Sequence, residues 1–451
     1  MCSTFKKSNK KYKNCQDKIH FIGIGGIGVS ALARYYLAKG FKISGSDLVS
    51  SEITKALEKE GAKIFIGKHK AKNLAKDVDL VIYSPAISKD NPELLKAKNY
   101  KLKTKSYPQA LGELTKKHFT IAVSGSHGKS TVTAMIGLIL TKAKLDPTVI
   151  LGTKLKEFGD SNCRVGKSKY LVIEADEYKE SFLNYWPKII VLLNIEYDHP
   201  DYFKNLRHYI KAFKKFVLHL PKDGILIANK DDKNIYPLFS QIVKKKRWYS
   251  LKDREVKKLE KILKIPGKFN VSNALAALKV AQILKIPPKI ALKTLSEFKG
   301  TWRRFEIKKA KINNLQFTII NDYGHHPTQV RETTKAAREK FKKKKIILIY
   351  QPHQHQRTFF LFNDFVKTFR EIPVDQTIIT DIYTVTGRES KKIMKKVNSQ
   401  KLVKATNREN TIYLPKRKII NYLKKNLKGG EVVIFMGAGD IYELTYKVRF
   451  L

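Results

Sequence analysis

The chain has 451 residues, of which 42% are hydrophobic, so it can bury several cores, and about 150 residues per domain predicts three domains. Its 90 Lys and Arg residues against 40 Asp and Glu give a formal charge of +50, but these basic residues are spread along the chain without zinc-finger or RNA-recognition spacing, so we expect a lysine-rich solvated surface and no specific nucleic-acid partner. The three cysteines, Cys2, Cys15 and Cys163, stand at no metal-binding or redox spacing, which excludes a disulfide framework and a zinc site.

The N-terminal residues 1–16 are polar and basic without periodicity, and we expect a disordered tail there. They lack the apolar core of a signal peptide, and no later run reaches the roughly 18 to 20 apolar residues that a membrane span requires. The sequence therefore predicts a cytoplasmic protein without a membrane span.

From Lys18 onward, short apolar runs alternate with amphipathic segments, which predicts a parallel α/β sheet. We place the first domain at residues 17–116. Its predicted strands are residues 19–24, 42–45, 63–66 and 80–84, and its first helix is residues 29–39.

A glycine-rich loop follows the first predicted strand. Gly23, Gly25, Gly26 and Gly28 form a G-x-G-x-x-G pattern, and Asp47 follows 19 residues after the last glycine. This pattern is typical of a dinucleotide fold, with a pyrophosphate at the helix N-terminus and a carboxylate on a ribose hydroxyl. Taken alone it indicates a nicotinamide oxidoreductase, and a glycine turn packed under a helix is the structural alternative.

The second predicted domain, residues 117–301, contains the most informative motif. Its predicted strands are residues 119–124, 170–173, 189–193 and 224–228, and a helix is predicted at residues 273–284. The segment SGSHGKST at residues 124–131 lies between a strand and an apolar helical run at residues 132–140. Strand, glycine loop and helix N-terminus together predict a polyphosphate site, with Lys129 at the β/γ-phosphates and the hydroxyl of Ser130 or Thr131 on Mg²⁺.

Carboxylates follow two of these strands. They are Glu174, Asp176 and Glu177 after the first, and Glu196, Asp198 and Asp201, with His199, after the second. Because carboxyl ends of parallel strands meet at one edge, we expect these acids near the phosphates, where they can hold Mg²⁺. Helix capping is an alternative for Asp176, Glu177 and Asp201. The third domain, residues 302–451, has predicted strands at residues 317–320, 345–350, 376–380 and 431–435.

Ten motifs now stand in a recognisable order. They are GIGGIGVS, SGSD, SGSHGKST, EADE, NIEYDHPD, NVSNALAAL, WRRFE, NDYGHHPT, QPHQHQRT and FMGAGDI. On these motifs the chain resembles the Mur ligase family over residues 18–451. The resemblance implies a three-domain α/β fold: an N-terminal Rossmann-like domain for a UDP-linked substrate, a central P-loop ATPase-type mixed or parallel sheet, and a C-terminal Rossmann-like domain that binds the amino acid and closes.

The resemblance implies an ATP-dependent ligase of peptidoglycan precursor synthesis. It would join L-alanine, or a similar small amino acid, to UDP-N-acetylmuramate through an acyl phosphate, with ATP and Mg²⁺ (or Mn²⁺) as cofactors, as a monomer or weak homo-oligomer. One alternative is a sibling ligase that adds another amino acid or a recycled murein peptide. From another class comes a basic nucleic-acid-binding P-loop ATPase.

Site residues follow from the resemblance, motif by motif. Those that resemble the UDP-substrate contacts are Gly23, Gly25, Gly26, Gly28, Asp47 and Ser84. Those that resemble ATP contacts are Gly125, Ser126, His127, Gly128, Lys129, Ser130, Thr131, Asn270, Asn273, Arg303 and Asp322. The implied catalytic residues are Lys129, Glu174, His199 and Arg304, with Arg303 as the alternative arginine, and the implied metal ligands are Ser130, Glu174 and His199. The implied amino-acid pocket comprises Tyr323, His325, His353 and Arg357.

The chain departs from the family pattern at two places in the third domain. The alanine-adding members usually have Q-P-H-R-Y-x-R-T, whereas Gln354 and His355 stand here in place of Arg and Tyr. One positive charge is thereby lost from the implied amino-acid pocket. The segment 381–389 is one residue longer than the usual form, so we expect a reshaped loop.

Overall fold

The computed structural model describes residues 17–312, 314–385 and 389–450. The tail predicted at residues 1–16 lies outside the described residues. The chain divides into two compact units, Met1–Ala110 and Leu111–Leu451, which are described separately.

The first unit contains a five-stranded parallel sheet. Its strands are β1 (Lys18–Ile22), β2 (Lys42–Asp47), β3 (Lys63–Ile66), β4 (Leu80–Tyr83) and β5 (Thr104–Ser106), and its helices are α1 (Ile27–Ala38), α2 (Glu52–Lys59), α3 (Pro92–Asn99) and α4 (Tyr107–Lys117), the last of which continues into the second unit. The strand order is β3-β2-β1-β4-β5, with every neighbouring pair parallel. The central strand β1 therefore ends at the glycine loop with a neighbour on each side.

A buried carboxylate joins two of these strands to a helix. Glu93, at the start of α3, is fully buried and accepts hydrogen bonds from His20 Nε2 at 2.9 Å, Ser46 Oγ at 2.7 Å and Asn73 Nδ2 at 2.9 Å. His69 Nδ1 lies 3.1 Å from the same carboxylate. Burial alone raises the pKa of a carboxyl group, but these hydrogen bonds lower the pKa of Glu93 to about 2. Glu93 is therefore ionised and holds β1, β2 and α3 together.

The second unit contains two sheets, of which the first is seven-stranded and mixed. Its strands are β6 (Phe119–Ser124), β7 (Thr148–Leu155), β8 (Ser161–Arg164), β9 (Tyr170–Glu174), β10 (Ile189–Leu192), β11 (Ile225–Asn229) and β12 (Lys246–Tyr249), and its helices are α5 (Lys129–Lys142), α6 (Leu206–Val217), α7 (Tyr236–Phe239), α8 (Val256–Ile262), α9 (Lys268–Ile283) and α10 (Pro288–Glu297). The strand order is β12-β11-β10-β6-β9-β7-β8, and β8 runs antiparallel to β7. Helix α5 is apolar on all sides because α9, α10, β7 and β9 surround it.

The second sheet of this unit is also seven-stranded. Its strands are β13 (Glu306–Ile312), β14 (Leu315–Asp322), β15 (Ile346–Tyr350), β16 (Gln376–Ile379), β17 (Thr411–Tyr413), β18 (Val432–Met436) and β19 (Arg449–Phe450), and its helices are α11 (Pro327–Lys340), α12 (His355–Phe360), α13 (Phe362–Glu371), α14 (Lys391–Met394), α15 (Ser399–Thr406) and α16 (Ile419–Asn426). The strand order is β17-β16-β15-β18-β14-β13-β19, and only β13 pairs antiparallel with its neighbours in the described part of the sheet.

These three sheets confirm the predicted α/β fold with Rossmann-like outer sheets and a mixed central sheet. The strands that the sequence analysis missed include β5, β12 and β13, which are lysine-containing and partly exposed, so they lack an apolar run. Helix α9 begins at Lys268 rather than at residue 273, because its first turn is polar and follows Gly267 at φ +96°. Within the described residues, no helix is both long and apolar enough to cross a membrane.

We expect Glu93→Gln to lower the stability of the first unit by about 2–4 kcal/mol, because the buried donors lose their anionic acceptor. Since the folded-state pKa of Glu93 is depressed, its contribution is present above the ordinary carboxyl pKa and is lost as the pH falls through about 2. Hydrogen exchange of β1 and β2 amides, followed by mass spectrometry in the full chain from pH 7 to about pH 2, measures this effect. Glu60→Gln is the control, because Glu60 pairs with Arg34 at the surface and its loss costs under about 1 kcal/mol; equal effects of both substitutions would contradict the prediction.

Candidate active site

The glycine loop after β1 is held by the end of β2. The N–H of Gly23 donates to the carbonyl of Ser46 at 2.8 Å, and the N–H of Gly25 donates to Asp47 Oδ2 at 2.8 Å. Gly23 has a φ of +77°, and a Cβ there would lie 3.0 Å from the Cβ of Ser84. The structure therefore brings these four predicted residues together, with the carboxylate of Asp47 engaged on the loop itself.

Helix α1 begins directly after this loop. Gly26 is its N-cap, and no side chain caps the first turn. A Cβ at Gly28 would lie 2.8 Å from the ring of Tyr107, so the helix start packs closely on that ring. An uncapped helix N-terminus presents backbone N–H groups and the positive end of the helix dipole, which suit an anionic group.

The second glycine loop joins β6 to α5. Gly125 has φ +143° and Gly128 has φ +87°, and a Cβ at Gly128 would lie 2.5 Å from Asn273 Oδ1. Both positions therefore require glycine. The N–H of His127 donates to Asn194 Oδ1 at 2.8 Å, which fixes the loop on the residues that follow β10.

The lysine of this loop is paired with a buried carboxylate. Lys129 Nζ donates to the carbonyl of Gly125 at 2.7 Å and to Glu177 Oε2 at 2.8 Å. Glu177 also accepts a hydrogen bond from the hydroxyl of Tyr209 at 2.9 Å, and His199 Nε2 lies 3.6 Å from it. Burial alone lowers the pKa of Lys129, but Glu177 raises it above its ordinary value; burial alone raises the pKa of Glu177, but Lys129 and His199 lower it to about 2. The pair is therefore ionised.

Ser130 and Glu174 form the oxygen-rich part of the site. Ser130 Oγ donates to Glu174 Oε2 at 2.9 Å, and the N–H of Gly152 donates to Oε1 at 2.5 Å. Burial raises the pKa of Glu174 above its ordinary value, although both hydrogen bonds oppose this effect. A hydroxyl beside a carboxylate is a ligand set that suits Mg²⁺.

His199 stands in a second cluster. It has φ +56°, and its Nδ1 is buried without a hydrogen-bond partner. One ligand atom each from His199, Asp176 and Glu177 lie within 4.8 Å of one another. The structure thus places the predicted metal ligand His199 beside Glu177, whereas Ser130 and Glu174 contact each other.

A cavity of about 480 Å³ lies between the two sheets of the second unit. Its size suits a small-molecule ligand. The predicted ATP-site and catalytic residues that line it are His127, Gly128, Ser130, Thr131, Asn270, Asn273, Arg304 and Asp322. Residues from both sheets therefore enclose one space next to Lys129.

The two neighbouring arginines have different surroundings. Arg304 lines the cavity. Arg303 is buried outside the cavity lining, where its Nη2 donates to the carbonyls of Gly437 at 2.6 Å and Gly439 at 3.0 Å and its guanidinium lies 4.0 Å from the ring centroid of Tyr442. Arg303 thus ties the start of the second sheet to the loop after β18, and the contacts give no support to its predicted place among the ATP contacts.

The four residues predicted to bind the amino acid lie close together. The ring of His325 lies 5.5 Å from that of Tyr323 and 5.8 Å from that of His353. Arg357 Nη1 lies 3.1 Å from His353 Nδ1, and Arg357 Nε donates to Asp198 Oδ1 at 2.8 Å. The guanidinium is therefore paired with a carboxylate of the other sheet of this unit.

Consecutive residues after β10 contact the second sheet of the unit. Glu196 accepts a hydrogen bond from the hydroxyl of Thr328, and the carbonyl of Tyr197 lies 3.2 Å from His326 Nε2. Asp198, which follows them, pairs with Arg357. This segment therefore joins the wall of the cavity to the predicted amino-acid pocket.

The two departures from the family pattern lie next to this pocket. Gln354 is buried at φ +71°, and neither carboxamide atom has a hydrogen-bond partner in the described structure. The N–H of His355 lies 3.2 Å from both carboxylate oxygens of Glu389. Residues 386–388 of the loop predicted to be reshaped lie outside the described residues.

Several residues of the site were given no individual role by the sequence. Glu177 and Asp198 carry a detectable signal, because both follow buried strands in acidic motifs, yet helix capping explained Glu177 equally well. Thr328 ends the motif NDYGHHPT and Gln329 follows it, but neither was given a role, and Gln329 Nε2 lies 3.0 Å from His127 Nδ1. Tyr209 lies in an amphipathic helix, where an aromatic residue indicates only a core position.

Comparison with known proteins assigns the chain to a family. The Mur ligase family, catalytic domain, matches residues 18–119; the Mur ligase middle domain matches residues 123–281; and the Mur ligase, glutamate ligase domain, matches residues 303–439. The chain is 41% identical to UDP-N-acetylmuramate–L-alanine ligases from Acetivibrio thermocellus (94% of this chain and 94% of that one) and from Clostridium tetani (94% and 96%).

Solved structures show the same architecture. The UDP-N-acetylmuramate-alanine ligase from Thermotoga maritima has a TM-score of 0.76 at 28% identity, covering 95% of this chain and 97% of that one. A murein peptide ligase from Psychrobacter arcticus shares the fold, with a TM-score of 0.71 at 22% identity over 96% and 98% of the two chains. With three consecutive family domains and relatives that span nearly its whole length, the chain belongs to the Mur ligase family and is an ATP-dependent amide ligase.

Proposed function

We propose that the chain uses ATP to join L-alanine to the carboxylate of UDP-N-acetylmuramate in peptidoglycan precursor synthesis. The observation that carries this proposal is the cavity beside Lys129, which is enclosed by residues of both sheets of the second unit. The names of its relatives, UDP-N-acetylmuramate–L-alanine ligase, support the choice of substrates. Family membership favours this function over the nucleic-acid-binding and nicotinamide alternatives.

ATP occupies the cavity in this proposal. Asn270 and Asn273, which lie on α9 and line the cavity, serve the adenine, while Asp322, at the end of β14, serves the ribose. The glycine loop and the start of α5 receive the triphosphate through backbone N–H groups. Lys129 and Arg304 then neutralise charge on the transferring phosphoryl group.

Ser130, Glu174 and His199 are the proposed holders of Mg²⁺. The hydroxyl and carboxylate at the first two positions fit a hard cation, and Nδ1 of His199, which has no hydrogen-bond partner in the described structure, would coordinate the cation once the imidazole is neutral. When bound, Mg²⁺ supplies positive charge to the phosphate oxygens. The same proposal includes Mn²⁺ as a substitute for Mg²⁺ at these residues.

The reaction proceeds in two steps. A carboxylate oxygen of the acceptor attacks the γ-phosphorus of ATP, and the bond from this phosphorus to the β-phosphate oxygen breaks. The products of this step are an acyl phosphate and ADP. The amino nitrogen of alanine attacks the acyl carbon, loses a proton, and phosphate departs as the amide forms. The side chains of the protein position and neutralise, so no Ser or Cys nucleophile is required.

The first unit is the proposed site of the UDP moiety. The uncapped start of α1 and the close-packed glycine loop suit a pyrophosphate, with Gly23, Gly25, Asp47 and Ser84 around it. We extend the same proposal to the domain limits 17–116, 117–301 and 302–451. A cytoplasmic location and a monomeric or weakly oligomeric state complete it.

Arg357 is the proposed ligand of the alanine carboxylate. Its Nε is held by Asp198 and its Nη1 by the carbonyl of His353, so the guanidinium has a fixed orientation. A planar guanidinium of fixed orientation can pair bidentately with a carboxylate. Tyr323 and His325 lie at the same pocket, and the neighbouring Gln354 replaces a charge that family members usually carry there.

A substrate panel tests the function directly. We expect ADP release only when both UDP-N-acetylmuramate and an amino acid are present, with L-alanine preferred over glycine, L-serine and a murein tripeptide. Coupled ADP assay and mass spectrometry of the product measure this. Rapid ATP hydrolysis without either substrate, or preference for the tripeptide, would contradict the proposal.

The two arginines should respond differently to substitution. Arg304→Ala is expected to lower kcat by about 100-fold or more, because it removes a charge from the transferring phosphate while the fold persists. Arg303→Ala is expected to lower the free energy of unfolding by about 3–5 kcal/mol, because its buried hydrogen bonds to two carbonyls are lost. Steady-state kinetics and thermal unfolding of both variants test this expectation. A loss of kcat in Arg303→Ala together with a loss of stability in Arg304→Ala would assign the phosphate contact to Arg303.

Arg357→Lys tests the amino-acid pocket. Because an ammonium cannot reproduce the fork that contacts Asp198 and the substrate carboxylate together, we expect the KM for L-alanine to rise about tenfold or more, while the KM for ATP changes less than about twofold. Arg338→Lys is the matched control, since Arg338 pairs with Asp375 at the surface of the same sheet. An equal rise in both KM values would place Arg357 outside the pocket.

A further inference from the structure

We propose that Glu177, oriented by Tyr209, is the resident counter-ion of Lys129 in the nucleotide-free site and releases this lysine to the incoming phosphate. The inference rests on the assignment of Lys129 to the triphosphate made above. It gives Glu177 a positioning role that acts through Lys129.

The pair of Lys129 and Glu177 is largely shielded from solvent. Glu177 is fully buried, and its Oε2 lies 2.8 Å from Lys129 Nζ. A largely buried ammonium is costly without an anionic partner, and a carboxylate at hydrogen-bond distance offsets that cost. Glu177 therefore occupies the ammonium of Lys129 before any phosphate is present.

The other nearby carboxylates are poorly placed for this role. Asp176 Oδ1 lies 4.0 Å from Lys129 Nζ on a largely exposed side chain. Glu174 is already engaged by Ser130 and by the N–H of Gly152. Among the described residues, Glu177 is thus the carboxylate within hydrogen-bond distance of this ammonium.

Tyr209 sets the position of the Glu177 carboxylate. Because an ionised carboxylate only accepts, the single hydroxyl proton of Tyr209 points to Glu177 Oε1, at 2.9 Å. Ser126 Oγ lies 3.0 Å from the same hydroxyl and also bonds the backbone of Glu196. A closed ring of contacts therefore runs from the loop through Ser126, Tyr209 and Glu177 to Lys129 and back to the loop at Gly125.

Nucleotide binding brings a competing anion to Lys129. A phosphate oxygen and the Glu177 carboxylate compete for the same ammonium. The free energy of binding the phosphate is therefore reduced by the cost of breaking the contact between Lys129 and Glu177. Removing the negative charge at position 177 should lower the stability of the nucleotide-free protein and increase the affinity of the ground state for ATP. A residue with a merely structural role would weaken both.

Glu177→Gln keeps the shape and removes the charge. The Kd for ATP is measured by calorimetry in EDTA, so that a change in cation binding near His199 cannot alter the measured value. Thermal unfolding is measured with and without ATP. The expected result is a Kd about threefold or more below that of the wild type, with a lower Tm for the empty protein and a larger gain in Tm on adding ATP. The kcat of the complete reaction with Mg²⁺ should fall, because Lys129 is no longer oriented.

Tyr209→Phe removes the orienting hydroxyl and keeps the charge. We expect kcat to fall several-fold with the ATP affinity near that of the wild type. Tyr249→Phe is the matched control, because Tyr249 is a buried tyrosine on β12 of the same unit whose hydroxyl bonds Ser272 instead, and it should leave both values unchanged.

Three outcomes overturn the inference: unchanged or weaker ATP binding by Glu177→Gln, an ATP-induced gain in Tm no larger than that of the wild type, or identical kinetics of Tyr209→Phe and Tyr249→Phe. If Glu177→Gln does not fold, the tyrosine pair alone decides. If the wild type does not bind ATP, the proposed nucleotide site fails, which is distinct from failure of the counter-ion role.

Discussion

The ionised pair of Lys129 and Glu177 is the interaction on which the geometry of the site depends. A largely buried ammonium and a fully buried carboxylate are stable together only at hydrogen-bond distance, so the segments that carry them must lie close to each other. They meet because β6 and β9 are parallel neighbours, and the loops that leave their carboxyl ends emerge at one edge of the sheet. The same adjacency brings Glu174 to Ser130, so one strand pairing positions both the charge and the oxygen ligands of the phosphate site.

The segment after β10 extends this arrangement to the second sheet of the unit. Asn194 holds the glycine loop through His127, and Asp198 holds Arg357 from the other sheet. A chain segment that serves both sides cannot move independently of either, so the cavity wall and the amino-acid pocket are mechanically joined.

Much of the site was predictable because its chemistry is local in sequence. The glycine loop around Gly128 needs positive φ and small residues at fixed spacing. Glu174 and the segment that contains His199 come directly after buried strands. The sequence pattern therefore locates this loop and these two residues. Asp198 and Glu177 were visible as acids, but their partners were not, because Arg357 and Tyr209 lie far away in sequence. The two arginines of WRRF were indistinguishable for the same reason.

The sequence by itself determined the alternation of strands and helices that is typical of an α/β fold, the two glycine loops and the family, because hydrophobic period and glycine spacing are properties of neighbouring residues. Tertiary structure alone decided that Glu177 pairs with Lys129, that Asp198 pairs with Arg357, and that Arg304 rather than Arg303 faces the cavity. These choices depend on which strand edges adjoin and which side chains share a buried volume. A buried charge is stable only when an opposite charge lies close to it in space. Because that partner can be far away in sequence, the spacing of residues along the chain does not reveal it.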